Sequence, residues 1–577
     1  MRPFPIHTRE KDCHDCYKCV RNCPVKAIRV ENDHASVVPE RCVACGRCIR
    51  ICPSGAKRVR DDAAAARSLL AGALPVYVSL APSWAAAHPE WSPGQWLAAL
   101  RRLGFRGAGE TAAGAREVSA AVVGMLNRAG PGLHISTACP ALVALVRKHH
   151  PAFAGSLIPL ASPLLTHCRM LRDRLGGEIR VVFIGPCAAK KGEADEHPEL
   201  LDLALTFAEL DEWLAAANVR PDLLSPDPED VFLDAGEAGE GALYPLEGGM
   251  IETFRYCGCS GEVRVQSISG LGRLRQSLEN LGPGSFDRPF FLEGLACRGG
   301  CVNGPCSTRD PQPLAGIMAV RSRAVPGRPG PRPGLEVRMT YDPAGEAETA
   351  WTEAEVAAAL ARVGKTGPAD ELNCGGCGYD TCRGLARALL SGDAETGMCA
   401  YYMRTIAQRK ANALFRCMPS GVVIVGTDLR IMEANDAFVR LFGDRAGELQ
   451  TAGPGLAGVR VDDIFPCGNL LRAALRSGRE IRRERLKVGD RLLDIVVFII
   501  EEYKTVGAIV EDVTLTEMRR DRIARRAREV INRNIATVQE IASLLGEHMA
   551  DTEVLLSSIA EGYGEGGGTA SGGDGDG

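Results

Sequence analysis

The sequence has no apolar run approaching the roughly 18–20 residues of a membrane-crossing helix, which excludes a helical span. It also lacks a dominant sign of charge. Lys and Arg number 68 and Asp and Glu 72, for a formal net charge of −4. A balance so near neutral offers no field for nucleic acid or for an anionic membrane surface. The opening residues, Met1-Arg2-Pro3-Phe4-Pro5, read as neither a secretory nor a twin-arginine signal. The expectation is a cytoplasmic chain with no nucleic-acid and no membrane partner. Histidine is sparse, with none between Asn412 and Thr514, which argues against a histidine-ligated haem in that stretch.

Cysteine is the opposite case, with 22 in 577 residues. A chain this long predicts three to five domains. In such a chain, clustered CxxC patterns read as metal ligation rather than a disulfide framework. Sixteen cysteines fall in ligand-like patterns. Cys168, Cys257, Cys259, Cys306, Cys417 and Cys467 do not, and read as buried or incidental thiols. Residues 1–60 hold two runs of one pattern, Cys13-x2-Cys16-x2-Cys19-x3-Cys23-Pro24 and Cys42-x2-Cys45-x2-Cys48-x3-Cys52-Pro53. This is the pattern of bacterial two-cluster ferredoxins, in which the fourth cysteine of each run ligates the other cluster. One 4Fe-4S cube is then expected on Cys13, Cys16, Cys19 and Cys52, the other on Cys42, Cys45, Cys48 and Cys23. Zinc rarely uses eight thiolates at this spacing.

From residue 74 to about 345, strand-like and helical runs alternate, as in an α/β domain with a largely parallel sheet. Ligands of such sheets sit at the carboxyl ends of strands. Four more cysteines occupy short turns there: Thr137-Ala138-Cys139-Pro140, Gly185-Pro186-Cys187-Ala188-Ala189-Lys190 and Ala296-Cys297-Arg298-Gly299-Gly300-Cys301. These turns resemble the three signature loops of the FeFe (iron-only) hydrogenases. The stretches Ala81-Pro82-Ser83, Leu205 to Leu210 and Gly248 to Glu252 are similar to that family as well. The resemblance implies an H-cluster, a 4Fe-4S cube on Cys139, Cys187, Cys297 and Cys301. Cys301 would join it to a diiron group carrying CO, cyanide and a dithiolate bridge. It further implies that Lys190 hydrogen-bonds a cyanide, and that Ala81, Pro82, Ser83, Gly185, Pro186 and Leu295 line the diiron pocket.

The departures from the family pattern bear on rate. The position that carries a proton-passing cysteine in fast members is Ala138, which has no ionisable group. Gly185 and Leu295 stand where methionines are usual, and the third loop runs on as Asn303-Gly304-Pro305-Cys306-Ser307. No glutamates match the usual proton path; between Thr111 and Ala121 only Glu117 is present, out of register. The expectation is a slow hydrogenase, faster if cysteine is restored at 138.

After a linker-like stretch, Ala324 to Gly334, and a short helix from Thr352 to Val363, the run Cys374-Gly375-Gly376-Cys377-Gly378-Tyr379-Asp380-Thr381-Cys382 appears, with Cys399 beyond. It resembles the small 4Fe-4S domain found beside redox sensors, here at 366–404, against a zinc-knuckle alternative. Residues 410–515, from Met418-Pro419-Ser420-Gly421 to Glu511-Asp512-Val513-Thr514, resemble a PAS domain, an α/β sensor and dimerisation module. In the segment 516–562, Ile531, Ile535, Val538, Ala542, Leu545, Met549, Thr552, Leu556 and Ile559 recur at 4-3 spacing. That predicts a coiled coil or a docking helix. The glycine-rich tail, 563–577, reads as disordered.

The fold class expected is therefore multidomain α/β: a ferredoxin-like domain, an FeFe-hydrogenase-like catalytic domain, a small 4Fe-4S domain, a PAS domain and a C-terminal helix. The resemblance implies a sensory hydrogenase that slowly interconverts H2 and protons with ferredoxin, and relays redox state to a kinase- or phosphatase-type partner through PAS and helix. It also implies maturation proteins that insert the diiron group. A homodimer, a catalytic enzyme with an unusual proton path, and a non-enzymatic iron–sulfur scaffold stay open. Lys190, Ser83, Cys301 and the altered position Ala138 are the residues on which the chemistry is expected to turn.

Overall fold

The computed structural model describes residues 2–282, 286–307, 313–324, 334–344, 349–442 and 456–562. The linker reading at 325–333 and the tail reading beyond 562 lie outside these residues. The chain divides into two compact units, Met1–Arg404 and Thr405–Gly577.

The first unit opens with a duplicated device. Helices Lys18–Asn22 and Arg47–Ile51 each start behind a left-handed residue, Tyr17 (φ 52°) and Gly46 (φ 71°). Each carries the third cysteine of its run. Gly46 is needed twice over, for its φ and because a Cβ there would overlap Pro305 of the third signature loop. Two antiparallel pairs, Ile6–Thr8 with Lys57–Val59 and Ile28–Glu31 with His34–Val37, close this part.

Of the strands that follow, Val76–Leu80 and Arg180–Gly185 are β-branched-rich runs buried on both faces, the pattern of central parallel strands. The strands form two parallel sheets where the sequence suggests one. The first orders its strands Gly107–Glu110, Val76–Leu80, Arg180–Gly185, Leu203–Thr206. The second orders them Arg264–Ser269, Pro289–Leu295, Gly132–Ile135. Helices Thr111–Leu126 and Pro163–Leu175 approach each other at Gly114, whose Cβ would fall on the Pro163 carbonyl. All three signature loops leave the carboxyl ends of strands: Gly132–Ile135, Arg180–Gly185 and Pro289–Leu295.

The small cysteine-containing region 366–404 docks on the ferredoxin-like one. Val30 N–H donates to the Asp393 carbonyl at 2.9 Å, and Arg29 and Arg41 both pair with the Asp393 carboxylate. Lys26 Nζ donates to the Gly378 carbonyl at 2.6 Å, and a Cβ on Gly378 would strike Val20.

The second unit holds a five-stranded antiparallel sheet ordered Ile431–Ala434, Gly421–Val425, Thr505–Asp512, Arg491–Glu501, Ile481–Val488. Phe438, Phe465, Ile495 and Val510 fill its core. Buried Asn435 ties strand to turn: its Oδ1 accepts from Val422 and Phe438 N–H, and its Nδ2 donates to the Ser420 carbonyl. Thr514 donates to Asp512 and receives Leu492 N–H, fixing the exit into a 49-residue helix, Thr514–Gly562. The apolar stripe of that helix is exposed, Ile531 and Val538 included. Among the described residues no helix is long and apolar enough to cross a membrane.

Candidate functional site

Each signature loop is a sharp turn from strand to helix. Cys139 caps the Pro140–His149 helix, and Cys187 sits three residues past the end of the buried strand core at Ile184 and just ahead of the Ala189–Glu196 helix. The third loop is bent by Gly299 (φ 74°) and Gly300 (φ 102°). Any Cβ on Gly300 would meet the Pro245 carbonyl, so glycine alone lets the backbone pass there. The three turns meet around one cavity of about 100 Å³. Cys139, Cys187, Cys297 and Cys301 line it, with Ala81, Pro82, Ser83, Ala138, Pro186, Lys190 and Leu295. Gly185 underlies the wall rather than lining it. A Cβ there would collide with the Phe183 ring and with Ala81, and it is Phe183 that faces the cavity.

The thiols are mutually destabilising as anions. Burial first, then the neighbouring charges of Cys301, Cys187 and Cys139, raises the Cys297 thiol well above its ordinary range. Burial and Cys139 push Cys187 up to about 11. Four cavity-lining thiols that repel one another as thiolates need a shared cation to become ligands, and an iron–sulfur cube is such a centre. Among the described residues no three such side chains converge at the spacing of a single metal ion. A cube, whose cysteines attach to separate iron corners, does not require that spacing.

Lys190 Nζ donates to Glu193 Oε2 at 2.5 Å and to Ser162 Oγ at 3.3 Å. Its ammonium is thus held at the cavity wall by a carboxylate behind it. Ser83 Oγ is buried and has no hydrogen-bond partner, an orphan donor on an otherwise apolar wall. A group with uncharged carbonyls and anionic cyanides suits this lining: apolar walls for the first, an ammonium and a free hydroxyl for the second. The residues fit the diiron group.

The ferredoxin-like cysteines lie as follows. Burial first, then the charges of Cys23 and its own run, raises the thiols of Cys42 and Cys45, to about 11 and about 12. Cys48 feels Cys45, Cys42 and Cys23 in the same way. Cys23 of the first run therefore stands among the cysteines of the second. Cys13 and Cys16 lie close enough to raise Cys19, while Cys52 contacts Ser54 Oγ at 3.5 Å. Cys45 also reaches the wall of the central cavity. In the small region, Cys374 and Cys399 raise Cys377, and Cys382 accepts from Asn373 N–H.

Residues 74–305 match the family described as iron only hydrogenase large subunit, C-terminal domain. Through these residues the chain is similar to the iron-only hydrogenases. Residues 6–53 match a 4Fe-4S dicluster domain, 370–401 an Fe-S cluster family and 409–483 a PAS domain. Iron–sulfur cofactors are thus part of this hydrogenase-type chain. Solved structures similar to it include a variant of FeFe-hydrogenase HydA1 from Chlamydomonas reinhardtii. That match has 19% identity and a TM-score of 0.39, and covers 50% of this chain and 100% of that one. The PAS domain of histidine kinase ThkA is matched at 18% identity and a TM-score of 0.14, over 16% of this chain and 98% of that one. No curated protein matches the chain.

Sequence reasoning passed over several residues at this hydrogenase-type site: Phe183, Thr111 and Tyr244 in the cavity wall, and Glu293 behind it. Glu293 is 2% exposed and accepts from Met250 N–H at 3.0 Å. Burial pushes its carboxyl from an ordinary 4.5 up to about 7. The folded chain therefore holds this proton more tightly than the unfolded one. The stabilisation is fully present below about pH 4.5 and is lost as pH rises towards 7, a swing of about 3 kcal/mol. Glu293→Gln is expected to raise the thermal midpoint at pH 8 while leaving it nearly unchanged at pH 4. A glutamine variant no more stable than the parent at pH 8 would contradict the buried-acid reading.

Proposed function

We propose that the chain is a sensory hydrogenase: it binds and slowly turns over H2 at a diiron group in the central cavity and reports redox state through its PAS-containing half. The observation that carries this reading is the convergence of four thiols, the ammonium of Lys190 and the unpartnered hydroxyl of Ser83 on one apolar cavity. When bound, such a group supplies an open metal position and a basic amine for splitting H2. Cys139, Cys187, Cys297 and Cys301 would hold the cube, with Cys301 also tethering the diiron half. Lys190, aimed by Glu193, and Ser83 would orient its cyanides by hydrogen bonds. Phe183, Leu295 and the two prolines exclude water, which strengthens those bonds. Electrons would pass to the cubes on Cys23, Cys42, Cys45 and Cys48 and on Cys13, Cys16, Cys19 and Cys52, and to the cube on Cys374, Cys377, Cys382 and Cys399. A ferredoxin-like carrier, maturation proteins that build the diiron group, and a kinase- or phosphatase-type partner engaged through PAS and helix complete the scheme, set in the cytoplasm. The exposed stripe on the Thr514–Gly562 helix supports either that partner or a homodimer.

Slowness follows from the surroundings of position 138. Ala138 packs in an apolar cluster with Val118, Val122, Leu160 and Phe254, and the side chain beside it, Ser136, is turned to Met250 Sδ at 3.3 Å. A thiol placed there gains a titratable group with no acid behind it. Ala138→Cys is therefore expected to raise turnover by no more than about tenfold, short of the ~10²–10⁴-fold that a complete relay supplies. Hydrogen evolution by matured protein checks this, and a hundredfold gain would show that a proton path already reaches residue 138.

Infrared spectra of anaerobically matured protein, under H2 and then argon, test the main reading. Bands in the CO and cyanide region that shift and persist under H2 support a sensor. Bands that relax at once while gas evolves freely favour a working enzyme. Their absence after verified maturation leaves an iron–sulfur scaffold.

A further inference from the structure

A second polar line leaves the cavity at Thr111, and no sequence motif announces it. Thr111 lines the cavity. Its Oγ1 is 2.8 Å from Ser79 Oγ, which is 2.8 Å from His167 Nδ1; His167 Nε2 is 2.9 Å from Asp234 Oδ2. All four are buried, with Ser79 at 0%, His167 at 1%, Asp234 at 4% and Thr111 at 6% exposure. Asp234 is held by Glu110 N–H at 3.0 and 3.1 Å to its two oxygens. The Glu110 carboxylate, partly exposed, accepts from Trp84 Nε1 at 2.8 Å. Room for the His–Asp pair depends on Gly109, whose Cβ would lie 2.8 Å from His167 Nε2 and 3.0 Å from Asp234 Oδ2.

We propose that Thr111, Ser79, His167 and Asp234 form the proton relay that replaces the thiol missing at Ala138; this rests on the reading of the cavity as the diiron site. The hydrogen-bond roles permit only one consistent order around a neutral imidazole. Asp234 can only accept, so Nε2–H donates to it, Nδ1 accepts from Ser79 O–H, and Ser79 Oγ accepts from Thr111 O–H. That leaves the Thr111 oxygen free to take a proton from the cavity. A proton arriving there moves the chain by one step: Thr111 gives its own to Ser79, Ser79 gives to Nδ1, and Nε2–H passes to the Asp234 carboxylate. One proton enters and one is delivered, with no net charge left on the hydroxyls. Return to the starting order needs Asp234, whose side chain is 4% exposed, to release its proton to solvent, the imidazole to take the opposite tautomer and the two hydroxyls to rotate. The charged groups facing the line are Asp234, Glu110 and, near Glu110, Arg323. Burial, then Asp234, raises the Glu110 carboxyl, but its bonds to Asp234 run from the backbone N–H, so it stands beside the line and not in it.

A merely structural network would also conserve these contacts, so the variants must keep the bonds and remove the transfer. Glutamine at 167 can donate from Nε2 to Asp234 and accept at Oε1 from Ser79, but cannot shuttle a proton. In matured full-length His167→Gln, the CO and cyanide bands and the iron content are expected to match the parent. H2 oxidation and evolution should fall about 10²-fold, with a larger solvent deuterium isotope effect. Ser79→Ala should behave alike, and Ser79→Thr, which keeps the hydroxyl, should recover most of the loss. Parent rates and isotope effect in a fully loaded His167→Gln protein would overturn the relay while leaving the diiron reading intact. A parent protein without CO and cyanide bands after verified maturation would overturn both.

Discussion

Cys301→Ala is expected to abolish hydrogen turnover outright while leaving the rest of the iron–sulfur complement in place. The residue is the last of the third loop and lines the cavity, and its thiol is raised by burial and then by Cys139 and Cys187. In the proposed assignment it is the one side chain that touches both halves of the metal group. Its loss should remove the CO and cyanide infrared bands and lower the iron count by about the content of one centre, with the ferredoxin-type electron paramagnetic signals retained. Cys306→Ala is the matched control. That thiol is buried and only five residues on, but its backbone N–H bonds to the Pro186 carbonyl and its side chain is outside the cavity wall. Cys306→Ala should keep the bands and most of the rate. Equal damage from both substitutions would mean that the loop, rather than the Cys301 sulfur, is what the site requires.

The contrast between those two cysteines shows where sequence reading succeeds. Cys301 was legible because the chemistry imposes spacing, with a cysteine four residues from Cys297 across two left-handed glycines. The placement of Cys23 near Cys42, Cys45 and Cys48 follows the spacing of the two runs in the same way. Contacts made by tertiary packing left no such trace. Gly185 looked like a lost methionine contact, whereas the ring of Phe183, two residues earlier on the same strand face, occupies that space. Ser79, Thr111, His167 and Asp234 come from four separate segments, and each alone reads as an ordinary polar residue in a mixed run. Glu293 interrupts the apolar strand Phe290-Phe291-Leu292 and could have been flagged on that ground, since a charge in a buried strand costs free energy unless it is partnered or protonated. The two sheets were read as one because strand period reports pairing type and not which strands pair.

Adjacent lysines at 190 and 191 pose the sharpest case, because the family resemblance marks Lys190 but says nothing of what Lys191 does. Lys190 faces the cavity; Lys191 is 0% exposed and points into the domain. Its Nζ donates to Asp62 Oδ2 at 2.9 Å, Glu209 Oε1 at 2.8 Å and the Ala204 carbonyl at 2.9 Å. Glu209 is tied in turn to Thr206 N–H and Oγ1 and to Asp62 N–H, so one ammonium joins the Leu203–Thr206 strand, the helix after it and the end of the ferredoxin-like region. Removing one partner of a buried ion pair strands the other charges, at a cost of roughly 3–5 kcal/mol. Asp62 keeps Arg60 as a partner at 3.0 Å, which places Lys191→Met at the lower end, about 3 kcal/mol. Lys190→Met, by contrast, frees Glu193 and Ser162 Oγ and should cost less stability than Lys191→Met while displacing the cyanide bands. Denaturant midpoints and infrared spectra of the two variants therefore separate along opposite axes. A Lys191→Met protein as stable as the parent would show that Asp62 and Glu209 are already satisfied without the ammonium, and that the ferredoxin-like and hydrogenase regions are held together by packing alone.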